Sequence, residues 1–468
     1  MELTQLAHNI ILNSDSYKYS QFNQYPPQTE GVFSYISSRG GKTDETLFMG
    51  LQMFLKDYLL RPIRMEDIDV AEEIISAHGE PFYRGGWEYI VKKHAGRLPV
   101  RIRAVPEGKV IPFKNVLLTV ENTDPNCYWL TSFLETSLLR AIWYPTTVAS
   151  NSYNIKKLIL SYLIRNGDPG LIDFKLHDFG ARGVSSLESA GIGGLAHLAN
   201  FRGTDTVTAL IYGKRFYGEN MAGFNIPAME HSTVTSWGKK EEAESYRNML
   251  NLYAKPGSIV ACVSDSYDIY NACDKIWGEE LRQQVIDSGA IVVIRPDSGD
   301  PVQVNLRCAQ ILDSRFGSTV NGKGFKVLNN VQLIHGDGVS FEVIDRVLHV
   351  LEANGFSSDS IAFGQGGGLL QHVNRDDFKF AMKCSSVKVG GEWRDVFKDP
   401  ITDLGKASMK GRLQLVKNDS GEYQTVPERP WNKDELVTVY ENGELLVDYT
   451  FEQVRVNASQ CLHSFFAS

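Results

Sequence analysis

The stretch GAIVVIRPDSGDPVQVNLRCAQILDSRF, residues 289–316, sets three patterns in a row: a short apolar run, a polar turn of Pro, Asp and Gly, and a segment of helical spacing. A strand, a turn and a helix make one βα unit. Its neighbours repeat the pattern. GSIVACVSDSYDIYNACDKIW (257–277) precedes it, VQLIHGDGVSFEVIDRVLHVLEANG (331–355) follows, and SIAFGQGGGLLQHV (360–373) begins a fourth unit. Successive βα units predict a parallel sheet or barrel, because parallel strands need a crossover between them. The fold class is therefore α/β.

The flanking sequence reads differently. TEGVFSYISSR (29–39) and LPVRIRAVPEGKVIPFKNVLLTVENTDP (98–125) are strand-like, with turns at Pro106-Glu107-Gly108 and Asn122-Thr123-Asp124-Pro125. ETLFMGLQMFLKDYLL has helical spacing, as does CYWLTSFLETSLLRAIWY, and a further helix is predicted after Pro145 over TTVASNSYNIKKLILSYLIRNG. Strand-like segments return after about residue 378, with turns at Gly390-Gly391, Asn418-Asp419 and Asn442-Gly443. The predicted organisation is an N-terminal α+β part over 1–150, an α/β barrel-like catalytic domain over 151–384, and a β-rich C-terminal part over 385–468 that packs with the first.

Composition narrows the function. The 468 residues are 43% hydrophobic and 22% charged, as in an ordinary globular protein. With a net charge of -8 and scattered Lys and Arg, there is no basic footprint for nucleic acid. No run of 18 apolar residues and no secretory leader is present, so neither membrane nor secretion is indicated. Six cysteines without a C-x-x-C pair fit a reducing cytoplasm. A small-molecule substrate is the better expectation.

The βα units place their distinctive polar residues just past the strand ends: Ser264, Asp265 and Asp268; Arg295 and Asp297; Gly336 and Asp337; then Gly364, Gly366, Gly367 and Gly368. In parallel α/β folds ligands bind at that edge. Glycines let backbone N–H groups approach phosphate, Arg holds phosphate bidentately, and Asp accepts from sugar hydroxyls or holds Mg²⁺. A phosphorylated sugar satisfies all three, although each segment taken singly also makes an ordinary turn. GGKT at 40–43 lacks the earlier glycine of a phosphate-binding loop, and GIGGLA at 191–196 lacks the strand and the ribose-binding acid of a dinucleotide site. No zinc-binding H-E-x-x-H and no G-x-S-x-G occur.

SDSYK, KLHDFGARGVSS, FRGTDT, PAMEHST, VSDSYDIYNACDKIWGE, IRPDSG, GDGV, FGQGGGLLQ and VFKDP occur in this order, from about residue 13 to about 412. In these blocks the chain closely resembles the nicotinamide phosphoribosyltransferase family. The resemblance implies a type II phosphoribosyltransferase fold, with an α/β barrel-like domain and a β-rich domain formed from both chain ends. It also implies phosphoribosyl transfer from phosphoribosyl pyrophosphate to nicotinamide, giving nicotinamide mononucleotide and pyrophosphate in NAD salvage. Mg²⁺ carried mainly by the phosphates, ATP as co-substrate, and a homodimer with shared active sites come with it.

Residue by residue, the resemblance implies that Phe179 stacks on the pyridine, with Tyr17 of the second subunit on the other face, and that Asp205 accepts from the carboxamide. It places Arg182 and Arg295 on the diphosphate and ribose phosphate, Arg295 also beside the pyridine. Asp297, Gly336 and Asp337 fall around the ribose. Gly367, next to Gly366, is implied as a backbone donor to the 5′-phosphate, and Arg375 as a phosphate ligand from the partner subunit. Lys383, Lys398 and Lys406 match basic positions near pyrophosphate, and Asp268 is expected beside the diphosphate. The resemblance also implies that His231 is the residue ATP phosphorylates, with Glu230 expected to orient its ring. Asn225, Ala181 and Ala381 depart from the family pattern, which bears on pocket width and one phosphate contact. Two rival readings are a nicotinate-specific enzyme, which Asp205 argues against, and a non-catalytic nucleotide-binding or signalling protein.

Overall fold

Apolar runs of five residues form four of the six strands of a parallel sheet, and helices that follow them cover it. The computed structural model describes residues 8–402 and 407–467, so Lys406 lies outside the described residues. By its contacts the chain divides into two units: Met1–Ser150 with Arg215–Glu219 and Asn374–Ser468, and Asn151–Lys214 with Asn220–Val373. Each has its own apolar core.

In the second unit the strands are β1 (Leu176–Asp178), β2 (Gly203–Thr204), β3 (Ile259–Val263), β4 (Ile291–Arg295), β5 (Val331–His335) and β6 (Ile361–Gln365). Their order is β2-β1-β6-β5-β4-β3, with all pairings parallel. Residues 224–229 then pair with both outer strands, Phe224 with Gly203 of β2 and Ala228 with Ala261 of β3. This irregular segment curls the sheet toward a barrel and carries His231 to one end of it. Buried Trp277 stacks on Tyr246 at 4.7 Å between centroids, and its Nε1 donates to Ser264 Oγ at 3.0 Å. That contact anchors the chain where it leaves β3.

The first unit contains a seven-stranded antiparallel sheet that draws on both chain ends, in the order Glu392–Asp395, Ala381–Val389, Thr29–Ser37, Val116–Asn122, Val100–Ala104, Val437–Glu441, Glu444–Leu445. Gly390-Gly391 and Asn442-Gly443 have paired positive φ values (58° and 86°; 51° and 86°), as two-residue hairpin turns require. The strand Ala381–Val389 pairs with Thr29–Ser37 and so runs across the boundary between residues 384 and 385, where the C-terminal part was expected to start. The break predicted at Pro145 is also absent: one helix spans Glu135–Asn166. Pro145 cannot donate to the Ala141 carbonyl. Gly50 instead packs on both residues so closely that a Cβ there would lie 2.2 Å from Pro145 Cγ, and Thr146 Oγ1 donates to Met49 O at 3.0 Å. Among the described residues no helix is long and apolar enough to cross a membrane.

Burial also leaves a pH signature in the second unit. Ser152 Oγ pairs with His197 Nδ1 at 2.9 Å and His197 Nε2 with Gly203 O at 3.3 Å, tying the helix Leu187–Leu198 to β2. Desolvation lowers the His197 imidazole from 6.5 to about 3. As pH falls below 6.5 the unfolded chain takes up a proton that the folded one refuses, so stability drops by about 1.4 kcal/mol per pH unit from this group. Denaturant unfolding at pH 7, 6 and 5 is expected to show this slope, and His197→Gln to flatten it.

Candidate functional site

At the end of β1 the sequence Asp178-Phe179-Gly180 turns sharply, and the turn is held from inside. Asp178, fully buried, accepts from Gly180 N at 2.7 Å and from Thr204 Oγ1 at 3.1 Å. Burial pushes its carboxyl above the usual range, partly offset by these donors. Phe179 N donates to Gln365 O at 2.9 Å, which seats the ring on the neighbouring strand end. There Gly364 and Gly336 make room: a Cβ would lie 1.9 Å from the Phe179 ring on Gly364 and 3.2 Å from it on Gly336. Beside this ring, Asp205 follows β2, its N–H donating to Asp178 O at 2.9 Å. Its carboxylate is exposed and accepts from Asn225 Nδ2.

His231 opens a short helix after Glu230. Backbone pairing of Met229 N with Ala261 O and of Ala261 N with Pro227 O, both 2.9 Å, sets it beside the end of β3. Its Nε2 is 3.8 Å from Asp265 Oδ1 and 3.5 Å from Asp297 Oδ2, and its Nδ1 is 3.3 Å from Ser266 Oγ. Asp297 in turn lies 3.7 Å from Arg295 Nε, while Asp265 Oδ2 accepts from Ser298 Oγ at 2.6 Å. Asp265 Oδ1 and Arg295 Nε are buried with no hydrogen-bond partner among the described residues. A ligand group is the natural complement of such atoms, which have ionic neighbours but no hydrogen bond.

The end of β5 supplies His335, Gly336 and Asp337. His335 is buried, neither ring nitrogen has a partner of ordinary geometry among the described residues, and burial lowers its imidazole against the pull of Asp297, Asp337 and Asp265. Gly336 touches two functions at once, since a Cβ on it would sit 3.2 Å from Phe179 and 3.3 Å from Asp297 Oδ1. After β6, Gly366 and Gly367 start a one-turn helix, and Gly367 Cα faces Gly183 next to the exposed Arg182.

One strand-end rim thus gathers Phe179, Arg182, Asp205, His231, Arg295, Asp297, Gly336, Asp337, Gly366 and Gly367 in a single unit. Tyr17, Arg375, Lys383 and Lys398 belong to the other unit. Within it Tyr17 is half exposed, and burial lowers the Lys383 ammonium, with Lys398, Lys18 and Arg39 adding to that effect and Glu135 opposing it. Two expected residues are engaged locally. Asp268 Oδ1 caps the helix Ile269–Asn271 through Tyr270 N and Asn271 N, and Glu230 Oε1 accepts from Ser232 Oγ. The carboxylates that face the imidazole are Asp265 and Asp297. Asp178 and His335 escaped sequence reading, although each precedes a residue that did not: Phe179 and Gly336. GIGGLA proves to be helix packing, for a Cβ on Gly191 would meet the Tyr212 ring at 2.5 Å.

With this geometry in place, the comparisons are specific. Residues 174–444 match the Nicotinate phosphoribosyltransferase (NAPRTase) family, and residues 9–102 match the Nicotinamide phosphoribosyltransferase, N-terminal domain. The chain is 53% identical to the nicotinamide phosphoribosyltransferase of Xanthomonas campestris pv. campestris, covering 96% of this chain and 98% of that one. It is 32% identical to that of Acinetobacter baylyi, covering 96% and 97%. In fold it is similar to the nicotinate-nucleotide pyrophosphorylase of Pyrococcus furiosus (TM-score 0.65, 15% identity, 99% and 97% covered). Human nicotinic acid phosphoribosyltransferase is a further structural relative (TM-score 0.57, 15% identity, 97% and 94% covered).

Proposed function

Because the chain belongs to the nicotinamide phosphoribosyltransferase family, we propose that it transfers the phosphoribosyl group of phosphoribosyl pyrophosphate to nicotinamide, with ATP coupled through a phosphohistidine at His231. The observation that carries this reading is Gly336, whose missing side chain lets an aromatic platform, Phe179, and a carboxylate, Asp297, meet at one point. A pyridine on the first and a ribose beside the second would bring the attacking nitrogen against the anomeric carbon.

In the transfer, the C1′–N bond forms as the C1′–O bond to pyrophosphate breaks, and positive charge grows on the sugar. Asp297 and Asp337 would stabilise that charge, while Arg182, Arg295 and the backbone of Gly366 and Gly367 would hold the phosphates. The pyridine nitrogen needs no general base, so Phe179 contributes by positioning, with Tyr17 of a second subunit closing the other face. Arg375, Lys383, Lys398 and Lys406 are assigned to phosphate contacts in the same homodimer. Asp205 accepts from the carboxamide and repels the carboxylate of nicotinic acid.

The oxygen donors here fit a hard cation: Asp265 Oδ1 is buried and accepts no hydrogen bond among the described residues, with His231 Nε2 3.8 Å away and Asp297 Oδ2 3.5 Å from that same nitrogen. Mg²⁺ arriving with the phosphates would be held by them and would supply neutralising charge to the leaving group. For His231, Nε2 faces two carboxylates and therefore keeps the proton, which leaves Nδ1, beside Ser266 Oγ, as the nucleophile toward the γ-phosphorus of ATP. The N–P bond forms, the bond to ADP breaks, and water later releases phosphate.

The test is mononucleotide formation from phosphoribosyl pyrophosphate and Mg²⁺ with nicotinamide or nicotinic acid, each with and without ATP. Product from nicotinamide alone, made faster with ATP, is the expected result. Turnover of nicotinic acid in its place overturns the pyridine assignment, and binding of both substrates without product supports the non-catalytic alternative.

A further inference from the structure

We infer that Asn225 sets the choice between amide and acid substrates by holding Asp205 in its accepting position. The inference rests on the nicotinamide reading of the site and names a residue through which that reading works. Asn225 sits in the segment that links the outer strands, one residue after Phe224, whose backbone is bonded to both Arg202 and Thr204 of the β2 end. Its own amide orientation is fixed, because Oδ1 accepts from Ile226 N at 2.8 Å. Nδ2 is therefore the end that points to Asp205, and it donates to Asp205 Oδ1.

The surroundings make this one contact matter. Among the described residues no Lys, Arg or His side chain forms an ion pair with Asp205 at hydrogen-bonding range; the titratable neighbours that feel its charge from the inside are the acid Asp178 and the buried His177, whose imidazole is kept toward its neutral form by desolvation. A neutral donor is thus what steadies the Asp205 carboxylate. With Oδ1 taken by Asn225, Oδ2 remains to accept from a carboxamide N–H, whereas a carboxylate ligand would find no donor and a repelling charge. Asn225 is accordingly a positioning residue that acts through Asp205. The backbone on either side is set by bonds of Phe224 and Pro227, so removing the side-chain amide leaves the segment anchored.

The experiment measures kcat and KM for nicotinamide and for nicotinic acid in wild type, Asn225→Ala, Asn225→Ser and Asn225→Asp. A hydrogen bond to a charged group is worth about tenfold or more. Asn225→Ala is therefore expected to raise the KM for nicotinamide about tenfold with kcat little changed, and to narrow the amide-to-acid ratio of kcat/KM by about the same factor. Asn225→Ser, which restores a short donor, is expected to recover part of both. Asn225→Asp puts two carboxylates in contact, so that they share a proton and one becomes a donor; nicotinic acid should gain most in this variant. A wild-type preference for nicotinamide combined with an unchanged ratio in Asn225→Ala and Asn225→Asp overturns the inference alone. A wild type that prefers nicotinic acid overturns the nicotinamide reading and this inference with it.

Discussion

Gly364→Ala is expected to lower kcat/KM for nicotinamide by about a hundredfold, the scale on which small misplacements of a reactant cost rate. The added Cβ would lie 1.9 Å from Phe179 Cε2, 2.3 Å from Cδ2 and 2.7 Å from Cζ, so the ring has to leave its seat. It cannot take the backbone along, since Phe179 N is bonded to Gln365 O and the Asp178 carboxylate holds the next residue, Gly180. The side chain must rotate away from the rim. Pyridine binding then suffers first, and the KM for nicotinamide should rise more than that for phosphoribosyl pyrophosphate. Steady-state kinetics in two backgrounds separates this from general damage. In Phe179→Ala, where no ring remains to be displaced, Gly364→Ala should cost little more, and the two losses should be far from additive. Equal costs in both backgrounds would detach Gly364 from the pyridine site.

What could be read from the chain depended on how long each element is. IVACV, IVVIR, VQLIH and IAFGQ are five-residue apolar strands ahead of clear turns, so Arg295, Asp297, Gly336, Asp337, Gly366 and Gly367 of the rim were visible from pattern alone. β1 and β2 have three and two residues, too few to show any alternation, yet they present Phe179 and Asp205. Those two were reached only through resemblance. The segment 224–229 has no periodicity at all, because it makes isolated bridges to two different strands rather than one ladder. Nothing local could show that Asn225 meets Asp205. The same limit explains Glu230: sequence makes it the neighbour of His231, but the chain turns into a helix between them, and the acids brought to the ring by β3 and β4 are Asp265 and Asp297. Pro145 illustrates the reverse case, a strong local signal overridden by packing against Gly50 and Met49.

His231→Ala is expected to abolish the ATP response while leaving slow phosphoribosyl transfer in place. No bond of the transfer itself is made or broken at the imidazole, whereas the coupling needs a nitrogen that can carry phosphate. The ring is half exposed, with a side-chain exposure of 47%, so a nucleotide can reach it, and its two nitrogens are sorted by their neighbours into an Nε2 that faces two carboxylates and an Nδ1 that meets only the Ser266 hydroxyl. In wild type, ATP labelled at the γ-phosphate should transfer label to the protein in a linkage that is lost in acid and kept in base, as a phosphoramidate is. The label should be missing in His231→Ala and reduced in Asp265→Asn, which keeps the volume near Nε2 but removes a charge that holds the proton there. Rates measured with and without ATP should converge in His231→Ala, at the wild-type level without ATP or below it. If the variant were still stimulated by ATP, the phosphohistidine would be rejected and the cluster of Asp265, Asp297 and His231 would be left as part of the pyrophosphate site alone.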